Sequence, residues 1–279
     1  MALTARRIMA MAAICAALVA PAAIAQHPVA LVADVQGRAV LQTSGATVPL
    51  AILAELRDGA RVRLDPGARL VALYVGSGEQ YDATGPGEVQ FGAARPEASG
   101  GASIARRQGR DIRLRATGLA QGGVVVRSAG LRLLTPVAAT VLGPSPEFGW
   151  QDLRASVRYR FVLAEEGGPV VHETETEARS VTLPAGSALR PGSRYRWEVS
   201  AAADGGQRQT ARATFRVAPE DLRAQADRLR PGAGAGFADR VVYALWLDEN
   251  DLHVEARLWW RELSAGRPED AALRIRASR

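Results

Sequence analysis

The stretch LRPGSRYRWEV, Leu189 to Val199, decides how the chain is to be read. Pro191-Gly192 is a turn pair, and turn pairs punctuate strands rather than continue them. After it, Tyr195, Trp197 and Val199 alternate with Arg194, Arg196 and Glu198. A period of two puts one set on each face of a β-strand, so the three large apolar residues share a face that must be buried. Ala213-Thr214-Phe215-Arg216-Val217 repeats the alternation one turn further on. Two such strands need a second sheet to cover them.

Working back towards the N-terminus, candidates for that sheet begin near Leu131. Pro146-Glu147-Phe148-Gly149-Trp150 reads as a strand, Tyr159 to Glu173 as a hairpin, and Leu183-Pro184 as a proline-marked strand end. An early strand carrying Trp150 and a late strand beginning L-x-P-G-x-x-Y-x-W resemble a fibronectin type III-like sandwich, spanning residues 131–218. That resemblance implies that Trp150 and Trp197 fill the space between two sheets; the competing role for either ring is an exposed sugar-stacking platform.

Between Val29 and Phe91 the chain is a series of short β-prone runs separated by Asp58-Gly59, Asp65-Pro66-Gly67 and Gly85-Pro86-Gly87. Short strands with frequent turns predict a small, strongly bent β-structure. The order of features resembles the FecR-like periplasmic domain. It comprises Gly37 to Val40, Pro49-Leu50, Leu56 and Gly59 ahead of Val62, Leu70 to Val75, Gly76 to Gly78, Tyr81 and Gly85-Pro86-Gly87. The chain departs from that family's pattern at Ala60, where an acidic residue is often found. This first domain is assigned residues 26–130, including the Arg-rich strands; segment 103–128 either extends it or bridges to the next module.

Beyond Val217 the period becomes helical. In APEDLRAQADRLRPG, Pro219 and Glu220-Asp221 start a helix, Leu222, Ala226 and Leu229 form its stripe, and Pro231-Gly232 ends it. Phe237 to Leu247 is apolar nearly all round, which predicts a helix touched on more than one side. Asn250 or Asp251 is the expected cap of a third helix, whose seam is Leu252, Ala256, Trp259 and Leu263. The tail Arg267 to Arg274 looks like the start of a further helix. Ala244, Glu255-Ala256 and Trp260 to Leu263 resemble a tetratricopeptide-type unit in residues 219–279. So short an array is below the roughly three repeats that a free-standing solenoid needs, so the segment is expected to pack on the β-modules or on a partner. Trp246 and Trp260 lie off the main stripes and are the candidate partner-binding residues.

The first 25 residues read as a secretory signal. Arg6 and Arg7 supply the positive start, Ile8 to Ala20 an apolar run too short to span a bilayer, and Ala23-Ile24-Ala25 the cleavage site. No later segment reads as a membrane span, so the expected location is the periplasm. Cys15 is the only cysteine, and Ile14 before it does not suit a lipoprotein signal, so the mature chain is expected to form no disulfide. Among 279 residues all 35 basic ones are arginine, a usage read as coding bias, and the net charge is +6. Arg95 to Arg132 holds eight arginines against Glu97 and Asp111. Alternation with apolar residues there predicts a strand with a wet face; Arg106, Arg107, Arg110, Arg113 and Arg115 are its candidate contacts for an anionic polymer.

Residue patterns for chemistry are missing. Three histidines, His27, His172 and His253, show no metal-ligand spacing, and no serine sits in a G-x-S-x-G elbow. His172 to Glu177 places Glu173, Glu175 and Glu177 on one strand face. That row would suit calcium or acid/base work in a cleft, but reads as a charged edge strand. Gly232 to Gly236 lacks the preceding strand and the lysine of a phosphate loop and reads as a joint.

The expected fold is mainly β with a C-terminal α-helical segment: a FecR-like β-domain, an immunoglobulin/fibronectin-like sandwich and an αα-hairpin. The expected function is that of an exported, non-enzymatic interaction or scaffold protein of the bacterial envelope. No cofactor, metal or nucleic acid is expected. The partner is expected to be an envelope or outer-membrane-associated protein, with an anionic glycan as a further candidate. The FecR resemblance implies a place in envelope assembly or signal relay. That family's better-known regulators also carry a cytoplasmic segment and a membrane helix, neither of which is read here, so direct control of a sigma factor is not implied. The alternatives are a glycan- or peptidoglycan-binding module, and a hydrolase in which Glu173, Glu175 or Asp204 meets another carboxylate.

Overall fold

The computed structural model describes residues 27–43, 45–108, 112–114, 130–152, 154, 157–184, 186–202 and 208–278. The expected signal peptide with Cys15, together with Arg110, Arg115 and Asp204, lies outside them. The chain is mainly β, with four helices at its C-terminal end.

Ten short strands build the first sandwich: β1 (Ala30–Gln36), β2 (Ala39–Thr43), β3 (Ala46–Pro49), β4 (Glu55–Leu56), β5 (Ala60–Leu64), β6 (Arg69–Tyr74), β7 (Gln80–Thr84), β8 (Gly87–Phe91), β9 (Pro96–Ser99) and β10 (Ser103–Arg107). They form two antiparallel five-stranded sheets, in the orders β10-β7-β6-β1-β4 and β3-β2-β5-β8-β9. Ala30, Val32, Leu70, Ala72 and Tyr74 meet Val62, Leu64, Val89 and Phe91 between the sheets. The intervening residues of the same two strands, Leu31, Ala33, Val71 and Leu73, belong to a different core on the other face. This is why β1 and β6 are apolar at nearly every position instead of alternating: the sheet is covered on both sides.

Its second cover is helical. The helices are α1 (Glu220–Leu229), α2 (Phe237–Glu249), α3 (His253–Gly266) and α4 (Ala271–Ala277). α2 lies on β1, with Val241, Tyr243, Leu245 and Trp246 in the core that holds Leu31 and Leu73. The expectation that the helical segment packs on the β-modules is met here, and its all-round apolar second helix is flanked on several sides. Ile112 and Leu114, from the Arg-rich stretch, enter the same core. They run so close to the β6–β7 turn that a Cβ on Gly78, itself at φ +74°, would sit 2.5 Å from the Ile112 carbonyl oxygen.

The third helix differs from expectation at its start. Leu252 occupies the cap position and provides no side-chain hydrogen bond. Asn250 instead closes α2, its Nδ2 donating to the Trp246 carbonyl at 2.8 Å, and Asp251 takes φ 59° to reverse the chain. The fourth helix is where the tail predicted it, capped by Asp270, which accepts from the Ala272 and Leu273 amides.

The second module pairs β11 (Arg132–Thr135), β13 (Glu147–Gln151) and β16 (Ser180–Thr182) in one sheet. Facing it are β12 (Ala139–Val141), β18 (Arg208–Val217), β17 (Arg194–Ala202), β14 (Tyr159–Glu165) and β15 (Val170–Thr176), in that order. Phe148 sits centrally, 5.0 Å from the Phe161 ring, 5.3 Å from Trp197 and 5.5 Å from Phe215, distances at which aromatic pairs attract beyond their area. The Tyr195 hydroxyl accepts from the Arg190 backbone N–H at 2.9 Å, five residues upstream. This is the tyrosine corner of immunoglobulin-like sandwiches. Strand order and corner together make the module an immunoglobulin/fibronectin-like sandwich.

Candidate functional site

The tryptophans proposed as partner contacts are interior residues. Trp246 is 4% and Trp260 1% exposed. Trp246 stacks on Tyr243 at 6.0 Å between centroids, and the Trp260 indole N–H donates to the Asp248 carboxylate at 2.8 Å. The expected seam holds at Leu252, Ala256 and Leu263 and differs at one position: Trp260 is buried, whereas Trp259 is partly exposed and meets the Tyr243 ring edge-on at 5.2 Å. Trp260 lies between α2 and α4, its N–H on Asp248 and the Arg276 guanidinium 5.9 Å over its ring, and so is covered from both.

Trp150 and Trp197 are equally enclosed, at 2% and 0% exposure. The Trp197 indole N–H donates to the Pro136 carbonyl at 2.7 Å. All five tryptophans, five tyrosines and five phenylalanines fall among the described residues; twelve are buried, and Tyr81, Phe237 and Trp259 are partly exposed. Neither Trp150 nor Trp197 can therefore serve as an aromatic sugar-stacking platform.

The Arg-rich stretch divides. Arg106, on the edge strand β10, pairs with Glu79 at 2.7 Å. Arg107 reaches Asp239 in the first turn of α2 at 2.6 Å, so it ties the sheet to the helical layer and offers nothing to a polymer. Arg113 is exposed, between the buried Ile112 and Leu114. The expected anionic contact is thus not assembled by the three of these arginines that the structure describes.

A second bond of the same kind joins the C-terminal helices to β1. Arg267 reaches the buried Asp34 at 2.7 Å, donates to the Val35 carbonyl at 3.2 Å, and lies 3.7 Å over the Phe237 ring. Asp34 sits at a register shift in the β1–β6 pairing. Sequence reading missed this constellation, because its partners are far apart in the chain.

Where α3 meets the second sandwich, charge and backbone interlock. The Glu255 carboxylate accepts from the Leu142 backbone N–H at 2.6 Å, and the Asp251 carbonyl from the Thr140 N–H at 2.9 Å. Burial pushes the Glu255 carboxyl above its ordinary 4.5, only partly opposed by the Leu142 hydrogen bond. One residue pair away, the hydrogen bond to Asp248 pushes His253 above its ordinary 6.5. The Glu255 and Asp251 contacts join α3 to the second sandwich, and the His253–Asp248 bond ties the start of α3 to the end of α2.

His172 to Thr176 lies on β15, an edge strand as expected, and Glu177 follows its end. Glu173 is bound by Arg160 at 2.7 Å, which holds its carboxyl below the usual range. Among the described residues no group of three His, Cys, Asp or Glu is placed to hold a metal ion. Gly232 to Gly236 is the connection between α1 and α2. No helix among the described residues is long and apolar enough to cross a membrane.

One surface has a marked chemical character. On β18 the outward residues read Arg208, Thr210, Arg212, Thr214, Arg216, and all five are exposed. The paired strand β17 sets Arg194 directly opposite Arg216 and Arg196 opposite Thr214. Glu198, also outward, is taken by Arg212 at 2.5 Å.

No protein-family model matches the chain, and no curated protein matches it. Among solved structures, CopC from Methylosinus trichosporium OB3b is 17% identical over 32% of this chain and 94% of that one, with a TM-score of 0.25. The fn3 domain of human collagen alpha-1(XX) chain is 16% identical over 42% and 95%, with a TM-score of 0.24. A beta-1,2-glucanase from Parabacteroides distasonis is 10% identical over 86% and 49%, with a TM-score of 0.22. With scores this low, the assignment of the second module to the immunoglobulin/fibronectin-like sandwiches rests on its strand order and its tyrosine corner.

Proposed function

We propose that the chain is an exported, non-enzymatic interaction or scaffold protein of the bacterial cell envelope, acting in the periplasm. In this reading its first module is FecR-like and its helical segment tetratricopeptide-like. The observation that carries it is how the buried and partly buried charges between layers are used. Asp34 with Arg267, Asp239 with Arg107, and Glu255 with the Leu142 amide each join one layer or module to another. These buried and partly buried groups fix two sandwiches and a helical layer in one frame, the structural use of ion pairs that competes with a catalytic one. What such a frame offers to the outside is open strand edges, including β3 and β15 with the exposed Val48, Val170 and Val171.

A photo-reactive amino acid at Val48 or Val171, in a tagged full chain expressed in a bacterial host, tests the reading. Expected are a chain processed after Ala25, recovered from the periplasm, and discrete protein cross-links from at least one edge. Retention in the cytoplasm, or turnover of an envelope polymer by the purified chain, overturns it. The alternative of a glycan- or peptidoglycan-binding module draws its support from the arginine-bearing sheet face, since Trp150 and Trp197 are buried.

A further inference from the structure

We propose that the outward face of β17 and β18 binds a linear acidic polysaccharide, whose carboxylates are held by Arg194, Arg196, Arg208 and Arg216. The register makes the face. Arg194 and Arg216 are cross-strand partners, and Arg196 follows Arg194 by two residues on the same side. Neighbouring strands lie about 4.8 Å apart and outward residues on one strand about 6.7 Å apart, so these three guanidinium groups cluster within reach of one another. Arg208 extends the row along β18, with the hydroxyls of Thr210 and Thr214 between the charges.

Like charges set directly opposite each other on a sheet repel, so a bare Arg194–Arg216 pair is a local conflict that an anion relieves. Among the described residues none of the four arginines is in an ion pair; Arg216 donates only to the Gly192 carbonyl, at 3.2 Å. Of the nearby carboxylates, Glu198 is engaged by Arg212 and Glu165 by Arg190. Glu166 adjoins the end of the row, its backbone N–H donating to the Arg194 carbonyl at 2.9 Å. Glu173 and Glu175 stand two strands away on β15. The face is therefore split into an arginine half and a glutamate edge.

A guanidinium fork matches a carboxylate in a bidentate way, and repeated cations along a flat strand suit repeated anions along a chain. Nucleic acid is the poorer fit: single strands are gripped by base stacking on exposed rings, and the rings of these two strands, Tyr195, Trp197 and Phe215, are all buried on the opposite face. A second copy is the poorer fit too. The glutamate edge offers few free carboxylates against four arginines, and the net charge of +6 drives copies apart. Preference for a polysaccharide over double-stranded DNA rests on the export reading above; the binding itself does not.

Binding of the chain from Gln26 onward to alginate at low salt, by calorimetry, tests the inference. Neutral dextran, short duplex DNA and phosphatidylglycerol vesicles serve as comparison arms. Expected is salt-sensitive binding to alginate and not to dextran, weakened roughly tenfold or more in R194E/R196E/R216E. A charge-matched set on the first sandwich, R38E/R57E/R63E, keeps wild-type affinity. Should charge reversal unfold the module, R194Q/R196Q/R216Q carries the same expectation, with circular dichroism as the check. Equal loss in both variant sets, no binding to alginate, tighter binding to DNA or vesicles, or dimerisation through the same arginines overturns it. A chain that cross-links envelope proteins yet ignores alginate sinks this inference alone; the reverse outcome sinks only the protein-scaffold reading.

Discussion

Single side chains at the joint between α3 and the second sandwich carry the clearest expectations. Glu255 is an acid whose carboxyl is raised in the folded state, so folding opposes its ionisation. That penalty is in force above the folded value, shrinks as pH falls through it, and is gone below the unfolded value of 4.5. Glu255→Gln keeps an oxygen for the Leu142 amide and removes the penalty. The variant is expected to melt no lower than wild type at pH 7, and wild type to gain on it as pH is lowered to about 4. His253 acts in the same direction by the opposite chemistry. Its raised value means that the protonated ring stabilises the fold fully below 6.5, and that this is lost as pH rises through the folded value. In the sandwich itself, Tyr195→Phe deletes the corner hydrogen bond and leaves the Arg190 N–H without its acceptor. Urea unfolding should show a loss of roughly 1–2 kcal/mol with an unchanged m-value.

Among the elements, the decisive contact is the C-terminal end of α3 against β1. Arg267→Ala strands the buried Asp34 carboxylate and should lower stability by roughly 3 kcal/mol, whereas the double change Asp34→Leu with Arg267→Met should recover much of it. A single variant as stable as wild type would mean that the pair is solvated and idle. How far such elements could be read from sequence depended on the distance over which their cause acts. The L-x-P-G-x-x-Y-x-W spacing identified a strand, its turn and its buried face because every cause lies within a few residues. Trp259 and Trp260 were exchanged because a helical stripe gives a mean direction, and the neighbours on either side decide which edge is covered. The run Leu70 to Val75 did carry the sign of a sheet buried on both faces, since a one-sided strand would alternate. What no single sequence could supply was the identity of the second cover, residues 237–263, more than 150 residues away. For the same reason Arg194 and Arg216 read as ordinary solvated positions until the register placed them side by side.

At the scale of the whole molecule, the order of segments in the chain is not their order in space. The helices follow the second sandwich in sequence but share a core with the first, through Leu31, Val71 and Leu73 against Val241, Leu245 and Trp246. Truncation after Val217 therefore uncovers the outer face of β1 and β6, leaving only Ile52, Ile112 and Leu114 beside it. The truncated chain should bind the dye ANS and aggregate, although its own second sandwich retains every strand; a monomeric, dye-silent product would contradict the shared core. The doubly covered sheet also has a consequence in time. Ribosomes deliver the chain N-terminus first at about 5–20 residues per second. Hence β1 and β6 wait for their outer cover until almost the last residue has emerged, and the nascent first module remains adhesive throughout. A protein built this way gains from a holdase that keeps it unfolded until synthesis ends, which is also the condition in which a translocon accepts its cargo.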